Sequence, residues 1–324
     1  MDIESRIMRI LVTGATGFIG NRLCQLLISE GHRVRGVSRS GGGVAAGVDY
    51  RVADFADPAA IKESLQGIDC IVHLAGRAHV LNKQADSPDL YRSVNRDATL
   101  QLARLAIEAG VGRFIFISSI GVNGNQSAGQ RFTEQSPVNP AADYARSKLE
   151  AETGLRELVQ TADMQLVIIR PPLVYGADAP GNFRTLLKVV DKNIPSPFAA
   201  VRNTRSIISV DNLANLISLA AQHPDAAGQL FLASDGSDVS THQMLGALAQ
   251  GMQKRQWSIP VPQALLAMVL KLTGKGDMYT QLCGSLAVDC SHARQILGYR
   301  PDTDTLRSLM QVGRHYRIDH HRAT

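Results

Sequence analysis

Short apolar runs alternate with helix-period segments through the first half of the chain. Ile10-Leu11-Val12 reads as a strand, and a glycine turn leads from it to the helical pattern of Leu23, Leu26 and Leu27. Val34 to Val37 and Cys70 to Leu74 are further apolar runs, the latter preceded by a helix-like stretch from Ala59 to Leu65. A helix through Asp97 to Ala109 leads to Phe114–Ile117, and another through Ala145 to Val159 leads to Leu166–Ile169. Strands alternating with helices require crossover connections, and therefore a parallel sheet covered on both faces. The expected fold class is α/β with a doubly wound parallel sheet.

After Pro171-Pro172 prolines cluster and the elements shorten. We read residues 1–170 as the sheet domain and 171–324 mainly as a smaller C-terminal substrate lobe, with chain returning to the sheet near Phe231-Leu232. Gly41-Gly42-Gly43 reads as a flexible loop.

Composition narrows the setting. The hydrophobic fraction of 44% and charged fraction of 19% are those of a globular protein. Met1 to Ile10 lacks the layout of a signal peptide, and Ala264–Leu272 is too short to span a bilayer. A cytoplasmic location without membrane insertion is the expectation. Four scattered cysteines form no CxxC pair, so no metal site is expected and the thiols read as buried. The net charge of +5 suits a phosphorylated substrate, and no aromatic-interleaved basic pattern suggests nucleic acid. Arg314, His315, Arg317, His320, His321 and Arg322 read as a frayed, solvated tail.

Thr13-Gly14-Ala15-Thr16-Gly17-Phe18-Ile19-Gly20 follows the first strand and opens a helix. Gly14 allows the tight turn, Gly17 lets backbone approach a pyrophosphate, and Gly20 permits close helix–strand packing. The helix N-terminus then offers free N–H groups to phosphate. This makes the sheet domain an NAD(P)-binding Rossmann domain. At the end of the second strand an NAD site usually carries an acid for the ribose 2′-OH. Gly36-Val37-Ser38-Arg39-Ser40 carries none, and Arg39 suits a 2′-phosphate, so NADP(H) is favoured with NAD(H) as the alternative. Asp54-Phe55 is placed to frame the adenine, and Leu74-Ala75-Gly76 to let the cofactor cross the sheet edge.

Tyr144 and Lys148 lie one helical turn apart on one face. A tyrosine of ordinary pKa about 10 is a poor base, and a nearby ammonium together with the positive nicotinamide is expected to lower it. Tyr144 then exchanges a proton with a substrate oxygen while hydride moves to or from nicotinamide, and Lys148 anchors the nicotinamide ribose. Ser118-Ser119 ends the Phe114–Ile117 strand at the same sheet edge, where a hydroxyl orients the reacting oxygen.

With these motifs the chain resembles the extended short-chain dehydrogenase/reductase family, in particular its nucleotide-sugar epimerases, dehydratases and ketoreductases. TGATGFIG at 13–20, HLAG at 73–76, Asn95, FIFISSIGVNG at 114–124, YARSK at 144–148 and RPPLVYG at 170–176 carry the resemblance. It implies Ser119, Tyr144 and Lys148 as catalytic triad, with Ser118 beside the cofactor and Asn95 in support. It also implies that Pro171 and Val174 close over the nicotinamide, that Asn182 and Arg205 hold the substrate diphosphate, and that Asn123 lines the sugar pocket. A homodimer through the helices at 97–110 and 145–160 is likewise implied by the family alone.

Some positions depart from the family pattern. Tyr279–Ser285 lacks a second phosphate-binding arginine, and Asn123-Gly124 replaces the usual Tyr-Gly. Ile120-Gly121 offers no carboxylate beside the serine, which disfavours a 4,6-dehydratase. The expected activity is reduction of a UDP-4-keto-6-deoxy-(N-acetyl)hexosamine in surface-polysaccharide precursor synthesis. A UDP-hexose or UDP-N-acetylhexosamine 4-epimerase is the alternative. A non-catalytic NADP-binding sensor or scaffold is a reading of another class, opposed by retention of all three catalytic side chains. A steroid-type dehydrogenase is opposed by Asn182 and Arg205.

Overall fold

In the computed structural model, residues 7–39, 41–55, 57–77, 87–127, 129–274, 276–301 and 304–322 are described. Met1 to Arg6, used in the signal-peptide reading, and Ser40, beside Arg39, lie outside them, as do the side chains of His320, His321 and Arg322.

Seven strands form one parallel sheet: β1 (Arg9–Thr13), β2 (Arg33–Ser38), β3 (Asp49–Val52), β4 (Cys70–His73), β5 (Arg113–Ile117), β6 (Gln165–Arg170) and β9 (Leu230–Leu232). Their spatial order is β3-β2-β1-β4-β5-β6-β9. The near-continuous apolar runs seen in the sequence follow from burial on both faces. Even residues of β1, Ile10 and Val12, enter one core, while Leu11 enters the other. Helices α1 (Phe18–Ser29) and α7 (Val210–Gln222) cover the first face. On the second lie α2 (Pro58–Leu65), α4 (Ala98–Glu108) and α5 (Asp143–Val159). The strand order reverses between β1 and β4, so a crevice opens there at the carboxyl edge.

Helix α3 (Pro88–Arg92) runs through a π-helical turn, Ser93–Asp97, into α4. The wider turn rotates Asn95 inward to full burial. After β6, a small parallel pair, β7 (Leu173–Tyr175) and β8 (Ile207–Ser209), stands apart from the main sheet. Around it are α6 (Gly181–Asp191), α8 (Thr241–Gly251), α9 (Gln263–Leu272) and α10 (Gly276–Cys283). Helix α11 (Ser291–Leu297) returns to the first core.

The C-terminus corrects one expectation. Instead of a frayed tail, Thr305–Arg322 forms helix α12, which packs on α8 and buries Leu309 and Tyr316. Two glycines make the crossing possible. A Cβ on Gly313 would sit 2.4 Å from Leu248 O, and one on Gly251 1.9 Å from Met310 O, so the backbones touch. No helix among the described residues is long and apolar enough to cross a membrane.

Candidate active site

The crevice between β1 and β4 is built first from backbone. Gly14 takes φ +67°, and its Cβ position faces Ala75 N at 3.1 Å, so the loops after β1 and β4 are in contact. A Cβ on Gly20 would fall 2.2 Å from Gly14 O, which only glycine avoids. Gly17 precedes α1 without any side-chain cap, and the first turn carries no acid. Its N–H groups and the positive end of the helix dipole therefore face the crevice uncompensated. Thr16 and Gly17 are exposed there, while Phe18 and Ile19 pack half-buried beneath.

A hydrogen-bond chain fastens both sides of this crevice. Thr13 Oγ1 accepts from Leu74 N and Ala75 N, each at 3.1 Å. Its own hydrogen is thus directed to His73 Nδ1, 2.8 Å away. Thr99 donates to Asn95 O at 2.8 Å, so His73 Nε2 must be the donor in its 2.9 Å contact with Thr99 Oγ1. Each hydroxyl has one proton, and that constraint fixes a neutral Nε2–H imidazole. Burial and the Lys148 charge agree, pulling the His73 pKa down to about 3.

Asn95 continues the network. Its Oδ1 accepts from Arg77 N at 2.7 Å, and its Nδ2 donates to Arg77 O at 3.1 Å and to Ser147 Oγ at 3.0 Å. Ser147 in turn donates to Tyr144 O at 2.8 Å, so Asn95 ties the loop after β4 to the first turn of α5. Gly76 leaves room beside it, since its Cβ position is 3.1 Å from Asn95 Oδ1 and 3.3 Å from Lys148 Nζ.

Ser119, at the carboxyl end of β5, accepts from Gly121 N at 3.1 Å and is hydrogen-bonded to Tyr144. Tyr144 is half-buried, edge-on to Tyr91 at 6.3 Å. Burial, helped by Tyr91, pushes its phenol up to about 12, against the pull of the Ser119 bond. This reverses the depression expected from Lys148. The reason is placement: the Lys148 amine donates to Ile117 O at 3.0 Å and lies 4.6 Å over the Phe116 ring. Burial lowers Lys148 to about 8, opposed by the Glu152 charge.

Behind Ser119, Tyr144 and Lys148 lies a buried polar layer that the sequence did not disclose. Glu152, one turn past Lys148, pairs with Arg170 through Nε at 2.9 Å and Nη2 at 2.5 Å, with exposures of 2% and 4%. Ser118 donates to the same carboxylate. Arg170 Nη1 reaches Asn123 Oδ1 at 3.0 Å, and Asn123 Nδ2 donates to Ser136 O at 3.3 Å. Asn123 is buried with its amide on Arg170, and the Ser118 hydroxyl is turned to Glu152. The spacing of Glu152 from Lys148, four residues along one helix face, is the signal that could have found it.

At the outer crevice, Ser38 Oγ at the end of β2 is buried without a partner among the described residues. Arg39 beside it is exposed. Phe55 stands edge-on to His73 at 5.7 Å and Asp54 is exposed nearby. An orphaned hydroxyl, an exposed guanidinium and an uncapped helix N-terminus fit a dinucleotide with phosphate along its length. Pro171 is fixed against the serine loop through its carbonyl, which accepts from Ile120 N at 3.0 Å, and Val174 lies on β7.

In the second lobe Asn182, on α6, donates to Gln281 at 2.9 Å. Arg205 donates to Gly284 O at 3.0 Å, and burial lowers its pKa. The two candidates are thus tied to the same end of α10. Among the described residues no group of three or more His, Cys, Asp or Glu side chains is placed to hold a metal ion, and all four cysteines are buried.

Comparison with known proteins agrees with this architecture. The profile of the NAD dependent epimerase/dehydratase family matches residues 10–232. A UDP-glucose 4-epimerase of Vibrio cholerae is 42% identical over 296 residues, 90% of each chain. An N-acetyl-alpha-D-glucosaminyl-diphospho-ditrans,octacis-undecaprenol 4-epimerase of Escherichia coli O157:H7 is 27% identical over 82% of this chain and 81% of its own. Among solved structures, a UDP-glucose-4-epimerase from Stenotrophomonas maltophila with bound NAD and formylated UDP-arabinopyranose superposes with TM-score 0.82. It is 22% identical, over 98% of this chain and 100% of that one. The chain therefore belongs to the NAD-dependent epimerase/dehydratase family.

Proposed function

We propose that the protein reduces the C4 carbonyl of a UDP-4-keto-6-deoxy-(N-acetyl)hexosamine, with Ser119, Tyr144 and Lys148 as the reacting triad. The observation that carries this reading is the convergence of those three side chains at the end of β5, beside the phosphate-ready crevice. Bound there, a nicotinamide dinucleotide supplies hydride to the substrate carbon. Gly14, Thr16, Gly17, Phe18, Ile19 and Gly20 would hold its pyrophosphate end, and Asp54 and Phe55 its adenine. Leu74, Ala75, Gly76, Asn95, Pro171 and Val174 border its path, with Lys148 at the ribose. Ser38 and Arg39 would face the adenosine ribose, where a 2′-phosphate would give both a partner, and this favours NADP(H).

Tyr144, with its phenol pushed up to about 12, holds a proton at Oη at neutral pH. That is the form that protonates a carbonyl oxygen as it becomes an alcohol. Ser119 orients this oxygen and stabilises its developing charge. Lys148, its amine fixed on Ile117 O, would anchor the nicotinamide ribose beside the phenol. Asn182 and Arg205 hold the diphosphate.

A second reading, 4-epimerisation, is favoured by the Vibrio cholerae relative. In that case the same groups remove and return hydride with no net consumption. The Escherichia coli relative's name describes 4-epimerisation of a sugar diphosphate on a polyprenol, which supports a sugar diphosphate as the substrate class here. Incubation with UDP-sugars and UDP-4-ketosugars, with and without NADPH, separates the readings. Net NADPH oxidation supports reduction, and interconversion without it supports epimerisation. Tyr144→Phe should abolish either while cofactor binding persists. Unchanged turnover in that variant overturns the assignment of the triad.

A further inference from the structure

Helix α9 is laid on the protein the wrong way round for a soluble surface helix. Leu265, Met268, Val269 and Leu272 recur at one-face spacing and are 44%, 54%, 48% and 80% exposed, while Leu266 alone is buried. The outward apolar face does not stop at the helix. Ile194, Trp257, Ile259 and Met278 are also exposed, so eight of the fourteen large exposed hydrophobic residues among the described ones lie between residues 194 and 278. They belong to one layer. Ser196 and Ile259 are joined by a backbone bond of 2.8 Å, and Ile194 and Trp257 line one shallow pocket. Phe198 and Val261, on that same ladder, pack with Leu266 of α9 and Cys283 of α10.

The charge around this face is one-sided. From Lys192 to Val210, and again from Val239 to Gly276, the sequence contains no Asp or Glu, although the chain holds 29 of them. The same stretches contribute exposed Lys192, Arg202, Arg255 and Lys271. Arg255 lies 5.2 Å over the Trp257 ring, an aromatic with an apolar body and a polar edge beside a cation. Such a concentration of exposed apolar side chains marks an interaction site. Its outward Leu, Met and Val residues, a rim tryptophan and predominantly basic neighbours, with Asp277 of α10 and Asp191 the acids at its borders, match the physics of a helix lying in the headgroup layer.

We propose that α9, with the Ile194–Ile259 ladder and α10, is a peripheral docking surface for an anionic lipid bilayer. The helix lies in the interface and does not cross it, being ten residues long. Docked this way, the α10 end that holds Asn182 and Arg205 lies close to the headgroup layer.

The test is co-sedimentation of the full chain with sucrose-loaded vesicles of phosphatidylethanolamine and phosphatidylglycerol, set against phosphatidylcholine alone. The wild type should bind the anionic vesicles, and binding should weaken with salt. Val269→Glu with Leu272→Glu should lower binding at least ten-fold, and Arg255→Glu with Lys271→Glu several-fold. All four side chains are exposed, so folding should be retained, checked by thermal melting. Because the readout needs no turnover, Tyr144→Phe should bind vesicles like the wild type whatever the fate of the catalytic reading. Absence of wild-type binding overturns the proposal, as does equal binding by the Val269/Leu272 variant. A wild type that ignores vesicles but forms a dimer lost in that variant assigns the face to a second copy instead.

Discussion

Replacing His73 with glutamine removes a titrating group while keeping both of its hydrogen-bond partners within reach. The ring is 1% exposed, accepts from Thr13 and donates to Thr99, and its pKa falls from 6.5 to about 3. Depression of a histidine pKa means that the unfolded chain takes up the proton first. The stabilising preference for neutral imidazole is complete above pH 6.5, is lost progressively as pH falls, and is gone below about 3. At pH 4.5, two units below the unfolded value, the loss amounts to about 3 kcal/mol, at roughly 1.36 kcal/mol per unit. Urea unfolding of wild type and His73→Gln at pH 7.5 and 4.5 gives the comparison, because every other titrating group is common to both. The wild type should lose about 3 kcal/mol more than the variant over this interval. Equal losses would refute the buried neutral imidazole, as would a ring nitrogen spectrum showing the proton on Nδ1 at neutral pH.

Other consequences follow from the same network and its surroundings. Arg39→Ala should raise the Kd for NADPH roughly ten- to a hundred-fold, as loss of a charged hydrogen bond predicts, while NADH binding changes little. Fluorescence titration with both cofactors checks this, and equal effects would remove the case for the 2′-phosphate. Glu152→Gln leaves the Arg170 charge buried without a counter-ion and should cost about 3–5 kcal/mol of stability in denaturant unfolding. Since Glu152 holds the Lys148 pKa up, the alkaline limb of the kcat profile should also move to lower pH, a shift that mere loosening would not produce. Gly313→Ala should destabilise by about 1–3 kcal/mol despite the better helix propensity of alanine, because its Cβ meets Leu248 O at 2.4 Å. A higher melting temperature would show that α8 and α12 can separate freely.

Local pattern explains what the sequence disclosed. The glycine loop is contiguous, Tyr144 and Lys148 are one turn apart, and the main strands are apolar because both faces of the sheet are covered. Less could be read where partners are distant along the chain. His73 meets Thr13 across 60 residues and Thr99 across 26, and Glu152 meets Ser118 across 34. No periodicity brings such residues together; only the strand order does. Asn123 illustrates the consequence, since nothing in its motif announced its neighbour Arg170, 47 residues away. Helix α12 was hidden differently. Its histidines and arginines dominate the composition, and its few core residues, Leu309 and Tyr316, disclose a helix only once α8 is opposite. The Tyr144 pKa followed neither rule. Spacing alone put the Lys148 charge near the phenol, but the β5 carbonyl edge and the Phe116 ring hold that amine, and burial then governs.

The central claim is hydride transfer at C4 assisted by Tyr144. It is tested most directly by incubating the protein with NADPH deuterated at nicotinamide C4 and a UDP-4-keto-6-deoxy-N-acetylhexosamine. Deuterium should appear at sugar C4 in the wild-type product and be absent with Tyr144→Phe. No label at C4 in the wild type, or the same label in the variant, would contradict the account.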